Sequence, residues 1–195
     1  IQQLTTDERE RGRAAISPSG KYVAFPAQEI DAISTSRNIF VMNRDGGNAR
    51  KLTDDGSFKN SPQWSPDEKW LTYAARPGTE PEDSSQIMLI GTERPGQPRQ
   101  MGKGRRAPWI TNRELAVWRF LGTEKRSVDR PEGTRLSEDS VFVLPVLNGK
   151  YVAALDWRSG REGWYVATAT SFSESGLAKA RKLTKGLSFA EFPQN

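Results

Sequence analysis

Cysteine and histidine are both missing from this 195-residue chain. Their absence excludes a disulfide scaffold, a thiol nucleophile, the usual zinc sites and any Ser-His-Asp triad built wholly from these residues. No catalytic residue, metal ligand or cofactor is assigned from the sequence, and the chain is read as non-catalytic. Lack of cysteine fits any compartment, the cytoplasm included. No apolar run approaches the roughly 20 residues of a membrane-spanning helix. No secretory leader is visible, and no membrane insertion is expected. The chain opens on Ile1 rather than methionine, which reads as a processed or trimmed segment.

What the chain does have is an internal copy. Residues 57–73, SFKNSPQWSPDEKWLTY, contain Ser65-Pro66-Asp67 followed by an apolar-alternating run from Lys69 to Tyr73. Exactly 48 residues upstream stands Ser17-Pro18-Ser19-Gly20-Lys21-Tyr22-Val23-Ala24-Phe25, the same pattern. Leu-Thr pairs repeat the spacing at Leu4-Thr5, Leu52-Thr53 and Leu183-Thr184, with Leu136-Ser137 as a variant. Phe58, Phe142 and Phe189 each follow a pair by six residues. A period of this size marks a solenoid or a propeller.

Within a repeat the apolar period is two, which argues for strands rather than helices. Strand a carries Gln63-Trp64-Ser65, strand b residues 69–74, strand c residues 86–90 (38–42 one repeat earlier), and strand d ends at Leu52-Thr53. Proline pre-sets the a–b turn, where Gly20 can take the positive φ that follows. Asp45-Gly46-Gly47 marks a second tight turn between c and d. Four short antiparallel strands per repeat describe one blade of a β-propeller. The expected fold is all-β, with about four blades: a partial ring, or a fragment of a larger propeller. Repeats fall near 4–51, 52–100, 101–135 and 136–182, with a fifth opening at 183–195, all in one propeller domain. The third is degenerate, with Trp109 in place of the turn motif and a polar strand c near 124–129. The fourth carries Asn148-Gly149 as its turn and residues 163–168 as strand c. The six tryptophans fall mostly on strand positions, where large rings fill the space between blades.

Pro62-x-Trp64-Ser65-Pro66-Asp67, followed by Ile39-to-Gly47-type strands and Lys-Leu-Thr, resembles the TolB-type propeller repeat. The likeness is strong over the first two repeats, partial in the fourth and weak in the third. It implies blades around a central channel, a periplasmic or extracellular setting, and a role in binding other proteins. The same repeat is similar to that of the gating propellers of prolyl-oligopeptidase relatives, whose hydrolase domain has no trace here. A glycan-binding propeller is a further reading, and it requires convergent acids or aromatics. Both chain ends carry the same part of the repeat, so neither supplies what the other lacks. Open blade edges then offer sites for self-association.

Strand alternation places the short a–b and c–d turns at one end and the long b–c and d–a loops at the other. Recognition is expected at the long-loop end: residues 27–37, 76–85 with Glu80, Glu82 and Asp83, 103–106 with Lys103, Arg105 and Arg106, and 121–123. Between residues 94 and 130, ten Lys or Arg, Arg119 among them, face only Glu114, Glu124 and Asp129, a local charge of +7. Such a stretch attracts an acidic partner or a polyanion, although a solvated outer edge of the third blade explains it as well. Nucleic acid is disfavoured, because the aromatics sit at core spacing rather than on an exposed platform. Asp45, Asp54, Asp55 and Asp67 read as turn caps rather than a cation site. Ser17 and Ser65 read as structural, since no histidine is present to activate them.

Overall fold

A computed structural model describes residues 3–6, 9, 11–28, 36–93, 96–119, 122–130, 132–137, 141–146, 151–156, 163–168 and 181–182. The Asn148-Gly149 turn, Trp157, Arg94, Leu121, most of the 27–37 connection and the fifth-repeat opening at 183–195 lie outside them. The chain divides into two compact units, Ile1–Ala107 and Pro108–Asn195. Among the described residues the sole helical element is a 3-10 turn, Glu82–Ser84, and no helix is long and apolar enough to cross a membrane.

The first unit holds two blades. Blade one is β1 (Ala15–Ile16), β2 (Tyr22–Gln28), β3 (Arg37–Asn43) and β4 (Arg50–Lys51); blade two is β5 (Phe58–Trp64), β6 (Trp70–Arg76), β7 (Gln86–Gly91) and β8 (Arg99–Lys103). Each blade is an antiparallel meander, and one parallel bridge, Arg37 to Phe58, joins β3 to β5. Strand a of blade two differs from expectation. It starts at Phe58 rather than near Gln63 and ends at Trp64, leaving Ser65 to the turn, and its register with β6 shifts between Asn60 and Gln63. Pairing of Phe58, Lys59 and Asn60 with Arg76, Ala75 and Ala74 extends the strand, and the bulge adds one residue where Ser61 adopts φ +54 and Asn60 Oδ1 accepts its amide at 2.9 Å.

The 48-residue copy is visible bond by bond. Ser17 N–H donates to the Tyr22 carbonyl and Ser65 N–H to that of Trp70, both at 2.9 Å. Tyr22 N–H reaches Ser17 Oγ at 3.2 Å and Trp70 N–H reaches Ser65 Oγ at 3.0 Å. Arg44 N–H meets the Lys21 carbonyl at 2.8 Å and Thr92 N–H that of Lys69 at 3.0 Å. The two serines are thus turn anchors. Ile39 and Ile87, at matching places in strand c, are both fully buried.

Alternation along β2 and β3 sends Ala24, Ile39 and Val41 to one face, where they pack with Leu52, Trp64, Leu71, Tyr73 and Ile90. This cluster joins the two blades. Trp64 is 9% exposed and its indole N–H donates to the Ala15 carbonyl of blade one at 3.0 Å, so it packs between blades as its spacing implied. The other face of blade one gathers Val23, Phe25, Ala27, Phe40 and Met42 under Leu4.

The second unit holds a three-stranded sheet, β9 (Glu114–Trp118), β10 (Thr123–Ser127) and β11 (Gly133–Ser137), and a four-stranded one, β12 (Val141–Val146), β13 (Tyr151–Asp156), β14 (Gly163–Thr168) and β15 (Arg181–Lys182). The degenerate blade keeps a remnant of strand a in a single bridge from Trp109 to Leu115. Trp109 is 1% exposed, so its ring serves packing.

Candidate functional site

Three strand ends of blade two converge at the long-loop end: the start of β5, the end of β6 and the end of β8. Register places Phe58 opposite Arg76, and the parallel bridge brings Arg37 to the same residue. Side chains opposite each other on paired strands meet. Here both guanidiniums lie over the Phe58 ring, Arg37 at 4.6 Å and Arg76 at 4.5 Å from its centroid. A cation over an aromatic face is attracted by the ring quadrupole.

Arg76 also organises the loop that follows. Its Nη1 donates to the carbonyls of Pro77 (3.4 Å), Gly78 (3.2 Å) and Glu80. Ser84 Oγ then donates to the Pro81 carbonyl at 2.8 Å, and Gly104 N–H reaches the Ser85 carbonyl at 2.9 Å. A segment whose composition reads as loose is therefore internally bonded and stitched to the connection after β8.

Between these parts lies a cavity of about 250 Å³ whose wall includes Phe58, Ser61, Arg76, Glu82, Ser85 and Arg105. Of the residues expected at the site, it brings Glu82 and Arg105 together. Glu80 and Asp83 sit exposed on the same loop, and Lys103 and Arg106 flank Arg105 in the chain. Burial first, and then the nearby Arg13, lower the Arg106 guanidinium from its ordinary value. Arg119 belongs to the second unit. There it pairs with Glu124, which also takes Arg126 at 2.7 Å, while Lys125 meets Glu114 at 3.1 Å and Arg113 meets Asp129. Burial pushes the Glu124 carboxyl up, but the bonds from Arg126 and Arg119 outweigh it and hold the group below its ordinary value. All three acids of the basic stretch are paired inside the second unit.

Phe58, Arg37 and Arg76 were not singled out as site residues. Phe58 showed only as a repeat marker and Arg76 only as the start of a loop. Their meeting depends on the bulged register and on one parallel bridge, which no periodicity encodes.

Beneath the site sits a buried lysine. Lys59 is fully buried, and its Nζ donates to Asp55 Oδ1 (2.7 Å), Asn38 Oδ1 (3.0 Å) and the carbonyls of Asp55 (3.0 Å) and Ser57 (3.3 Å). Burial lowers the Lys59 ammonium from its ordinary value, against the opposing pull of Asp55. Burial also pushes the Asp55 carboxyl up, yet the bonds from Lys59 and Ser57 prevail and hold it below its ordinary value. Asp45 and Asp67 act as caps, Asp45 accepting from Gly47 N–H at 2.9 Å and Asp67 from Ser65 Oγ at 2.6 Å, whereas Asp54, expected to cap as well, pairs with Lys51 at 2.7 Å. No group of three or more metal-ligating side chains occurs among the described residues.

The turn end carries a larger cleft, about 450 Å³, with Lys21, Tyr22, Trp64, Asp67, Glu68 and Lys69 on its wall. Tyr22 stacks on Trp64 with centroids 6.1 Å apart. Glu68 stands at φ +60 and its carboxylate accepts from Ser19 N–H, tying the turn of blade two to that of blade one.

No family model and no curated protein matches this sequence. Solved structures do. TolB from Acinetobacter baumannii is 15% identical, with a TM-score of 0.59, covering 87% of this chain and 43% of that one. The fold is a partial TolB-like β-propeller. An oligogalacturonate lyase solved with manganese shares that propeller fold at 16% identity and a TM-score of 0.61, covering 89% of this chain and 51% of its own. A prolyl endopeptidase does so at 14% and 0.61, covering 91% and 29%. The propeller described here spans about half or less of each of these structures.

Proposed function

We propose that this propeller is a non-catalytic protein-interaction module whose partner docks on the long-loop end of blade two. The carrying observation is the Phe58 cavity, where loops bonded to a rigid blade hold guanidiniums and Glu82 around one opening. Charged groups on fixed loops steer and orient a partner more than they add raw affinity. The turn-end cleft supports docking less well. Its Asp67 and Glu68 are already spent on Ser65 and on Ser19. The TolB likeness adds a periplasmic or extracellular setting to this reading, checked by fractionating cells that express the full-length protein.

The docking test places a photo-crosslinking residue at Asp83, on the loop end, or at Asp45, on the turn end, of the full-length protein in its native cells. A discrete adduct from the Asp83 position, absent from the Asp45 position, supports the reading. Adducts from Asp45 alone, or equally from both, overturn it.

A further inference from the structure

We infer that the turn-end cleft between blades one and two is a saccharide site, one that takes a neutral sugar ring against Tyr22. It lies at the opposite end from the docking surface proposed above and does not depend on it. The wall carries Tyr22 and Trp64, whose rings stack at 25° with centroids 6.1 Å apart. Trp64 is held by its packing and by its bond to the Ala15 carbonyl, so Tyr22, 38% exposed, rests on a fixed support. The copy of Tyr22 in blade two, 48 residues on, is Trp70. There the Arg99 guanidinium lies over the ring at 5.9 Å. Among the described residues no cation covers Tyr22, and its ring stays exposed.

The walls are already in place. Glu68 accepts from Ser19 N–H, and Arg50 Nη2 donates to the Thr92 carbonyl. Both bonds cross from one blade to the other, as the Trp64 bond does. Groups fixed before binding lessen the ordering that a ligand must impose. Asp67 is engaged by Ser65. The Tyr22 hydroxyl and the side chains of Lys21, Lys69 and Glu93 are different. They form no hydrogen bond or ion pair among the described residues, and all four residues are exposed on the wall. Lys21 and Lys69 are copies of one repeat position, which sets one ammonium on each blade.

Charge and size choose the occupant. On the wall Lys21, Arg50 and Lys69 offset Asp67, Glu68 and Glu93, so it has no net charge to draw an ion of either sign. A hydroxyl both donates and accepts, and a sugar therefore serves ammonium and carboxylate in one molecule. The C–H face of the same ring is apolar, and laying it on Tyr22 removes both surfaces from water. At about 450 Å³ the cleft falls within the roughly 300–1,000 Å³ of sites for whole small molecules. The convergent acids and aromatics that a glycan-binding propeller requires meet here.

The experiment titrates the whole chain with maltose, cellobiose and N,N′-diacetylchitobiose in turn, by saturation-transfer NMR detected on the sugar. At least one binds saturably. Its Kd changes less than about twofold between about 0.05 and 0.5 M sodium chloride, since salt screens charges and leaves stacking alone. Tyr22→Ala weakens binding about tenfold with the circular dichroism spectrum unchanged, and Tyr22→Trp restores it. Glu93→Ala weakens it about threefold, the size expected for one hydrogen bond. No saturable binding by any of the three sugars overturns the inference. So does an unchanged affinity in Tyr22→Ala, or a Tyr22→Trp variant as weak as Tyr22→Ala. Tighter binding of an acidic disaccharide, digalacturonate, means an anion site and overturns it as well. The Asp83 crosslink and this titration read opposite ends of the blades, so each succeeds or fails without the other.

Discussion

Blade one and blade two hold the same turn with the same bonds, 48 residues apart, and at the opposite ends they share one bridge, Arg11 to Ala27 and Lys59 to Ala75, beyond which their described residues differ. At the turn end, Ser17 and Ser65 each receive the amide five residues on, and Gly20 at φ +72 matches Glu68 at φ +60. At the loop end, blade one has a two-residue strand a, whereas blade two has a seven-residue one with a bulge, a buried lysine beneath it and a cavity beside it. A turn bound through backbone amides tolerates few sequences, so its motif repeats. Loops standing on the finished scaffold are under no such constraint, and the chemistry that varies gathers there.

The sharpest way to break the pair is to remove what joins the blades. Trp64→Ala empties the cluster shared with Ala24, Ile39 and Val41 and should cost about 3–5 kcal/mol in urea denaturation. Lys59→Ala removes the buried ammonium that ties blade two to Asn38 of blade one. It leaves a void and deprives Asn38 of a donor, for about 2–4 kcal/mol. The same network sets an acid limit. Because Asp55 is held below its ordinary value of 3.8, the folded chain keeps the carboxylate ionised where the unfolded chain takes up a proton. Its contribution is present above pH 3.8 and is lost as pH falls through that value toward the lower folded one. Thermal unfolding followed from pH 6 to about 2.5 should show that loss, and Asp55→Asn should flatten it.

Smaller effects test the turns. Gly20→Ala forces a side chain into left-handed backbone with open space around it, costing about 1 kcal/mol. Gly46→Ala should cost more, since at φ +90 its Cβ meets the Leu4 carbonyl oxygen at 2.9 Å. Glu68→Gly gives blade two the glycine of blade one. Relief of left-handed strain then offsets the lost bond to Ser19, and the melting temperature shifts by less than about 1 kcal/mol would produce.

The strands, the serine anchors, the capping aspartates and the inter-blade tryptophan were legible because each depends on local bonds or on period-two burial. Glu82 and Arg105 were legible as loop charges. The Phe58 site was not, because Arg37 and Phe58 meet through a single parallel bridge 21 residues apart, and a bulge alters the count along β5. The basic stretch looked continuous in sequence but is divided in space, because Glu114, Glu124 and Asp129 all pair inside the second unit while Arg99, Lys103, Arg105 and Arg106 belong to the first. Counting charges along a chain ignores which strands lie side by side.

Arg37 belongs to two blades at once: its amide donates to the Ser57 carbonyl at 3.3 Å while its side chain covers Phe58. It works as a hasp between the two blades. Hydrogen exchange at that one amide should therefore report whether the two neighbouring blades stay joined, through a single proton.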